Sequence, residues 1–131
     1  MREMQITLPG GKRVDAEFDG FIVKTDQGKL NGGDGSAPQP FDVFLASLGT
    51  CAGIYVKGFC DTRGINTDNI SIQLRVLRGS DAIESIVLDI QLPADFPEKY
   101  KRSVCRAADL CAVKQLIQNP PKFEINAVTN K

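Results

Sequence analysis

The sequence predicts an α+β fold, because antiparallel β-hairpins and α-helices occupy separate stretches of the chain. Two stretches, one before residue 27 and one within 70–92, alternate apolar and polar residues as half-buried strands do. Between them, residues 40–63 form a long and mainly apolar stretch, which is uncharged from 43 to 56. We expect antiparallel sheets around this buried central helix. At 131 residues, the chain has the size of a single domain, 1–131.

Three strands are predicted before the first loop, at 5–8, 14–18 and 21–25. In the second strand Val14, Ala16 and Phe18 alternate with acidic residues. The glycine pair at 10–11 and the Asp-Gly pair at 19–20 are typical of tight hairpin turns. Residues 27–40 hold four glycines and two prolines and lack a GxxxxGK motif, so they indicate a connecting loop rather than a phosphate cradle.

The central helix is predicted at 40–63, with Pro40 in its first turn and Gly64 just past its end. No side chain between Val43 and Val56 is charged, so the helix is apolar on nearly all faces and must be wrapped. One sheet of this chain could hardly cover both sides of it. We therefore expect a second subunit to do so.

Beyond the central helix, alternation predicts strands at 70–76 and 86–92, joined by a turn near Gly79. An amphipathic helix is predicted at 97–110 and a shorter one at 112–118, which ends before Pro120. Residues 123–127 alternate again and predict a last strand.

Charge and composition restrict the function. Sixteen basic residues balance sixteen acidic ones, which gives no reason to expect nucleic acid or a membrane surface as partner. The N-terminus lacks the apolar segment of a signal peptide. The uncharged run 43–56 is shorter than the ~20 residues that cross a bilayer. We expect a cytoplasmic protein.

The four cysteines are the main candidates for chemistry, because the chain contains no histidine for a Cys-His pair or a mixed-ligand zinc site. On one helix Cys51 and Cys60 would lie about 13 Å apart on opposite faces, and Cys105 and Cys111 about 9 Å apart on a continuous helix. Both separations exceed the about 7 Å between Cα atoms that a disulfide tolerates. Any intramolecular disulfide must therefore join the central helix to the 97–118 region.

The helix faces favour Cys51 and Cys111 as that pair. Cys51 shares an apolar stripe with Leu48, and Cys111 lies on the apolar face of its helix. Cys60 lies near the polar end of the central helix and Cys105 lies off the apolar face. The alternative, that all four cysteines only fill space, remains open because free cysteine is often buried.

Two segments resemble the OsmC/Ohr family of hydroperoxide reductases. PQPFDVFLASLGTCAGIYVKGFCDTRGI resembles the family's central helix, in which a proline, a run of small residues and a cysteine follow one another. RAADLCAVKQLI resembles the second motif, where another cysteine opens a short helix. The order of elements matches the family over nearly the whole chain.

The resemblance implies an OsmC-like fold and an intertwined homodimer with active sites at the subunit interface. It implies that Cys51 attacks a hydroperoxide, organic rather than hydrogen peroxide, and becomes a sulfenic acid. Cys111 would then condense with it to a disulfide. A dithiol reductant, lipoyl-type in the family, would reset the pair. No metal and no organic cofactor are implied.

The chain departs from the family pattern near the first cysteine. Peroxidases of the family carry a glutamate after the helix proline, paired with an arginine, whereas this chain has Phe41, with Asp42 one residue later. Arg13 is the best candidate for the arginine, and a solvated turn charge is its simpler interpretation. Ala112 replaces the usual proline of the second motif. These departures favour a second hypothesis, a non-enzymatic dimer that binds a small apolar ligand or stores a redox-active pair.

Local electrostatics predict an order of thiol acidity opposite to the one that the resemblance implies. Cys51 is mid-helix in apolar company, which raises a thiol pKa. Cys111 lies near a helix start and three residues from Lys114, which lowers it. From these arguments Cys111 is the more acidic thiol, and Cys51 needs a cation from elsewhere in the fold, with Arg13 the nearest candidate.

Overall fold

A computed structural model describes residues 2–129 of the chain and confirms the α+β class. Eight main elements follow one another in sequence: β1 (Gln5–Gly10), β2 (Arg13–Phe18), β3 (Phe21–Thr25), α1 (Pro40–Asp61), β4 (Ser71–Arg78), β5 (Ile83–Gln91), α2 (Lys101–Asp109) and α3 (Ala112–Gln118). The chain divides into two compact units, and the boundary between Ser47 and Leu48 falls within α1.

The first unit contains an antiparallel sheet in the order β1-β2-β3. The predicted turn between β2 and β3 is confirmed, because Asp19 has φ 50° and Gly20 has φ 80°. A type I′ turn, which is a common two-residue hairpin turn, requires positive φ at both central residues, and Asp-Gly adopts it at low cost.

A buried carboxylate orders the loop that follows β3. Asp26 is almost fully buried, and its side chain accepts hydrogen bonds from the backbone amides of Gln27 (2.7 Å) and Ser36 (3.0 Å) and from the Ser36 hydroxyl (2.6 Å). These donors, the Ser36 hydroxyl first, lower the pKa of Asp26 to about 2. Gly33 fits against the same turn only without a side chain, since an added Cβ would lie 2.1 Å from the Gln27 carbonyl oxygen.

The second unit packs the rest of α1 against a two-stranded antiparallel sheet of β4 and β5. Pairing sets Ile72 opposite Ile90 and Leu74 opposite Leu88. Gly49 and Gly53 of α1 face this sheet, where an added Cβ would lie 3.9 Å from Leu74 and from Ile72 respectively. That distance is an ordinary van der Waals contact, so the glycines allow a close approach and still leave room for a methyl group.

The buried core lies where α1 meets α2. Val56, Cys60, Phe96 and Val104 form its centre. Phe59 and Tyr100 pack edge to face beside it, with ring centroids 5.8 Å apart. The helix ends as predicted, because Gly64 has φ 65° and the next amide, of Ile65, donates to the Cys60 carbonyl oxygen.

The predicted last strand, 123–127, is wrong for the described chain. After α3, residues 119–129 belong to no helix or strand, and the side chains of Phe123, Ile125 and Val128 are 83%, 98% and 82% exposed. Alternation specifies which side chains could face a core, but a strand also needs a neighbouring edge to receive its hydrogen bonds. Within residues 2–129 this segment has no such edge.

Helix α1 is only partly covered in the described chain. Its buried residues Leu48, Ala52, Val56 and Cys60 recur every four positions, while Ile54 is 71% exposed. By length and composition alone, α1 could cross a membrane, because an 18-residue window within it has a mean hydropathy of 1.5, and 22% of that window is buried. The uncharged run 43–56 is therefore shorter than the apolar part of this helix. The core helix of a soluble protein passes the same test, so the result is weak evidence for a membrane.

We expect Asp26 to make stability depend on pH in the acid range. Its pKa is lowered in the folded protein from 3.8 to about 2, so its contribution is complete above about pH 4 and disappears as pH falls towards 2. Asp26→Asn should lower the free energy of unfolding at pH 7, and the difference from wild type should shrink below pH 4.

Urea unfolding measured from pH 7 to pH 2.5 tests this prediction. Asp34→Asn, at an exposed acid of the same loop, is the matched control and should follow the wild type. Parallel curves for wild type and Asp26→Asn would contradict the role of the carboxylate.

Candidate active site

Cys51 lies midway along α1, one residue before Ala52 of the buried stripe. Successive helical residues are about 100° apart, so Cys51 points to the edge of the buried face, and its side chain is half-buried. The position is therefore neither in the core nor fully in solvent. A thiol there can meet both a buried partner and a molecule from outside.

Cys111 lies at the corner between α2 and α3, where it is the residue preceding the first turn of α3. It is 3% exposed, and its thiol donates a hydrogen bond to the Leu48 carbonyl oxygen of α1 at 3.9 Å. Its own carbonyl accepts from the Gln115 amide, the first backbone hydrogen bond of α3. The corner is thus held against α1, one turn before Cys51.

The two thiols interact, and the start of α3 supports the thiolate of Cys51. The backbone amide of Val113 lowers the pKa of Cys51 most, followed by a hydrogen bond from the Cys111 side chain, and the Ala112 amide adds to them. Burial opposes these effects without reversing them. The pKa of the Cys51 thiol is therefore below its ordinary value. None of the groups within residues 2–129 that lower it is a cation.

Burial raises the pKa of Cys111. The amides of Lys114 and Val113 oppose that change, and the Cys51 side chain adds to it. The pair thus consists of a more acidic thiol at Cys51 and a less acidic one at Cys111.

The order of acidity predicted from local electrostatics is therefore wrong. The sequence places a helix start beside Cys111, but burial outweighs the amides of that start at Cys111, whereas the same helix start lowers the pKa of Cys51, which comes from another helix. The expected need for a cation at Cys51 fails for the same reason. Hydrogen bonds from backbone amides replace it.

The other two cysteines have different environments. Cys60 is completely buried in the core, contrary to its predicted place near a polar end, because it continues the four-residue spacing of Leu48, Ala52 and Val56. Burial raises the pKa of Cys60. Cys105 is exposed on α2, in agreement with its predicted position off the apolar face. All four cysteines are free thiols.

The residues that bear on the departure from the family pattern lie in the first unit: Arg13, Phe41 and Asp42. The Arg13 side chain donates to the Gly10 carbonyl oxygen at 3.4 Å, within its own hairpin. Phe41 packs on Phe44, with ring centroids 5.7 Å apart, and Asp42 is exposed in the first turn of α1. The assignment of Arg13 as the partner of Cys51 stays a prediction.

A cavity of about 680 Å³ lies in the second unit between β5 and the α2–α3 corner. Leu48, Ala52 and Cys111 line it, together with Cys105 and Lys114. Most of the remaining wall is aliphatic: Ile72, Ile83, Ile86, Leu88, Ile90 and Ile117. Of the described residues, no group of three or more His, Cys, Asp and Glu is placed to hold a metal ion.

The family model for OsmC-like protein matches residues 33–126 of the chain. The match includes α1, both strands of the second sheet, and Cys51 and Cys111 with the helices that carry them. No curated protein sequence matches the chain.

Solved structures with the same fold cover most of the chain. A protein of Psychrobacter arcticus 273-4, titled an osmotic stress induced and detoxification response protein, has a TM-score of 0.75 at 19% identity, over 88% of this chain and 87% of that one. An OsmC-like protein of Mycoplasma pneumoniae has a TM-score of 0.72 at 14% identity, over 92% and 89%. An organic hydroperoxide resistance protein OsmC of Legionella pneumophila has a TM-score of 0.60 at 15% identity, over 90% of each chain. At these identities the likeness concerns the fold.

We expect Cys51 to be the thiol whose reactivity rises first with pH. Alkylation rates resolved per cysteine by mass spectrometry should give Cys51 an apparent pKa below that of an unstructured cysteine peptide. Cys60 and Cys111, with raised pKa values, should react later.

Variants of Cys111 test the cause. Cys111→Ala removes a hydrogen-bond donor and should raise the apparent pKa of Cys51, whereas Cys111→Ser keeps a donor and should raise it less. Equal values in both variants and in wild type would show that the Cys111 side chain does not support the thiolate.

Proposed function

The chain belongs to the OsmC-like protein family, and from this premise we propose that it is a thiol-dependent peroxidase that reduces organic hydroperoxides. In this proposal Cys51 and Cys111 are the catalytic residues and cycle between two thiols and a disulfide. The observation that carries the proposal is the pairing of a Cys51 thiol of lowered pKa with a buried Cys111 thiol.

The first step uses the thiolate of Cys51. It attacks the distal oxygen of the hydroperoxide, the O–O bond breaks, and the alkoxide leaves as an alcohol after taking up a proton. Cys51 becomes a sulfenic acid. The amides of Val113 and Ala112 would favour this step, because they stabilise the thiolate over the thiol.

The second step uses Cys111 as the resolving thiol. Its sulfur attacks the sulfenic sulfur of Cys51, a disulfide forms, and the hydroxyl leaves as water with the proton of Cys111. The hydrogen bond between the two side chains supports this pairing, since it brings the sulfurs together before oxidation. A dithiol reductant, lipoyl-type by analogy with the family, would complete the cycle without a metal or an organic cofactor.

Organic hydroperoxides are the preferred substrates in this proposal because Cys51 lies beside the buried apolar stripe of α1. Three structural relatives, from Legionella pneumophila, Vibrio cholerae and Bacillus subtilis, are named for organic hydroperoxide resistance. A thiol cycle of this kind needs a reducing compartment, which agrees with four free cysteines and with the expected cytoplasmic location.

We further propose that the single OsmC-like domain, 1–131, functions as an intertwined homodimer. Two features of the described chain support this. Helix α1 leaves Ile54 exposed, and the segment 119–129 belongs to no helix or strand, although it is apolar at the alternate positions 123, 125 and 127. A second subunit would cover the helix and offer the segment an edge.

The second candidate function is a non-enzymatic dimer that binds a small apolar ligand or stores a redox-active thiol pair. Phe41 stands where peroxidases of the family carry a glutamate, and the Arg13 guanidinium is hydrogen-bonded within its own hairpin. This candidate predicts reversible oxidation of Cys51 and Cys111 without peroxide turnover.

A peroxide-consumption assay separates the two functions. With an organic hydroperoxide and dihydrolipoamide, wild type should turn over, Cys51→Ser should lose at least a hundredfold in rate, and Cys111→Ser should lose steady-state turnover because its sulfenic acid is not resolved. Asp95→Asn, at an exposed residue that does not line the cavity of the second unit, is the control and should keep the wild-type rate.

Peptide mapping after one equivalent of hydroperoxide should find Cys51 linked to Cys111, with Cys60 and Cys105 free. The same link without turnover would favour the redox-storage function. A Cys51–Cys60 link would contradict the helical geometry of α1.

We expect no folded monomer at low micromolar concentration, because a monomer would expose the uncovered face of α1. Sedimentation velocity should show a dimer that dissociates only as it unfolds, and Ile54→Asp should weaken it by placing a charge on that face. A stable wild-type monomer would remove the support for an interfacial site.

A further inference from the structure

Of the two proposed catalytic thiols, Cys111 lines the cavity beside the α2–α3 corner and Cys51 does not. Cys111 lines it, next to the Leu48 carbonyl that accepts the hydrogen bond of the Cys111 thiol. Of the described residues, Cys51 is not among those that line it. Cys111 is only 3% exposed, and this cavity offers a small molecule a route to its sulfur.

The proposed catalytic cycle gives each sulfur different partners. The sulfur of Cys51 must meet the hydroperoxide, whereas the sulfur of Cys111 meets only Cys51 and then the reductant. A cavity that is lined by Cys111 and not by Cys51 therefore suits the reduction step better than the peroxide step.

We propose that this cavity binds the thiol reductant, and that the reductant attacks the sulfur of Cys111 rather than that of Cys51. The inference rests on the proposed Cys51–Cys111 cycle and adds to it a binding site and the identity of the attacked atom. The peroxide and the reductant would thus approach the thiol pair from different sides.

The chemistry of exchange agrees with this direction of attack. A reductant thiolate forms a bond to the Cys111 sulfur, the Cys51–Cys111 bond breaks, and its electron pair leaves on Cys51 as a thiolate. Thiols of lower pKa leave faster, and the pKa of Cys51 is the lowered one of the two. The second thiol of the reductant then attacks the reductant's own sulfur in the mixed disulfide. Cys111 leaves and takes up a proton, and the reductant closes into a cyclic disulfide.

The lining indicates the class of reductant. A volume of about 680 Å³ lies within the range of roughly 300–1,000 Å³ that is usual for small-molecule sites. The walls are mainly isoleucine and leucine. Among the polar lining residues, Lys114 forms an ion pair with Asp109. The Glu84 carboxylate therefore has no cation partner among the residues that line the cavity. An uncharged alkyl dithiol fits this lining better than an anionic thiol does.

Trapping of the first exchange product tests which sulfur is attacked. The wild-type disulfide is prepared with diamide, so that its formation does not depend on peroxidase activity. The uncharged monothiol 6-mercapto-1-hexanol is then added briefly, and N-ethylmaleimide captures the released thiol. Mapping should find mercaptohexanol on Cys111 and maleimide on Cys51. The reverse distribution, or an equal one, would overturn the inference.

A matched pair of variants on α3 tests the cavity. Ile117 lines it and neighbouring Leu116 does not, although both side chains are about half exposed. Ile117→Trp should slow reduction of the diamide-made disulfide by dihydrolipoamide at least tenfold, and Leu116→Trp should change it less than twofold. Similar rates in the two variants would overturn the cavity as the binding site.

The two proposals fail in different ways. If hydroperoxide does not form the disulfide but diamide does, the peroxidase is wrong and the exchange experiment still decides the attacked sulfur. If neither oxidant links Cys51 to Cys111, the reductant site is wrong as well. The trapping arm uses wild-type protein, so its result does not depend on how a variant folds.

Discussion

The packing of one stripe of α1 sets the position of everything around the thiols. Leu48, Ala52, Val56 and Cys60 face inward, and the sheet of β4 and β5 and helix α2 pack on them. With that face fixed, the helical rotation of about 100° per residue leaves Cys51 at the edge of the buried surface. The α2–α3 corner then rests on the same helix through the contact of Cys111 with Leu48.

Because of this arrangement, the Cys51 and Cys111 thiols differ in pKa. Two cysteines of similar intrinsic acidity become different because backbone amides outweigh burial at Cys51, whereas burial outweighs them at Cys111. The amides belong to α3, whose first residues have no helical acceptor for their N–H groups, so supporting a neighbouring sulfur satisfies donors that would otherwise need water. The difference in acidity thus needs no charged side chain.

Periodicity predicts most of the fold, because each pattern reports the solvent exposure of its own element. It failed at 123–127, where alternation is present but a neighbouring strand within the described chain is not. The helix faces favoured Cys51 and Cys111 as a pair, yet the acidity of each thiol depends on how deeply it is buried beside the α3 amides, and that is decided by tertiary packing. The burial of Cys60 was missed although the spacing 48, 52, 56, 60 contains the signal. The burial of Asp26 was not predicted, because an acid in a glycine-rich loop usually lies in solvent.

The raised pKa of Cys111 has a consequence for damage by excess oxidant. A thiol that stays protonated is a poor target, so in the proposed peroxidase cycle hydroperoxide would spare Cys111 and react repeatedly with Cys51. Irreversible sulfinic acid at Cys51 then forms only if a second peroxide arrives before condensation with the adjacent thiol. Because the Cys111 thiol is already a hydrogen-bond partner of Cys51, a second peroxide would have little time to react with the sulfenic acid. The same contact that makes Cys51 acidic would therefore also limit the dose of peroxide that inactivates it.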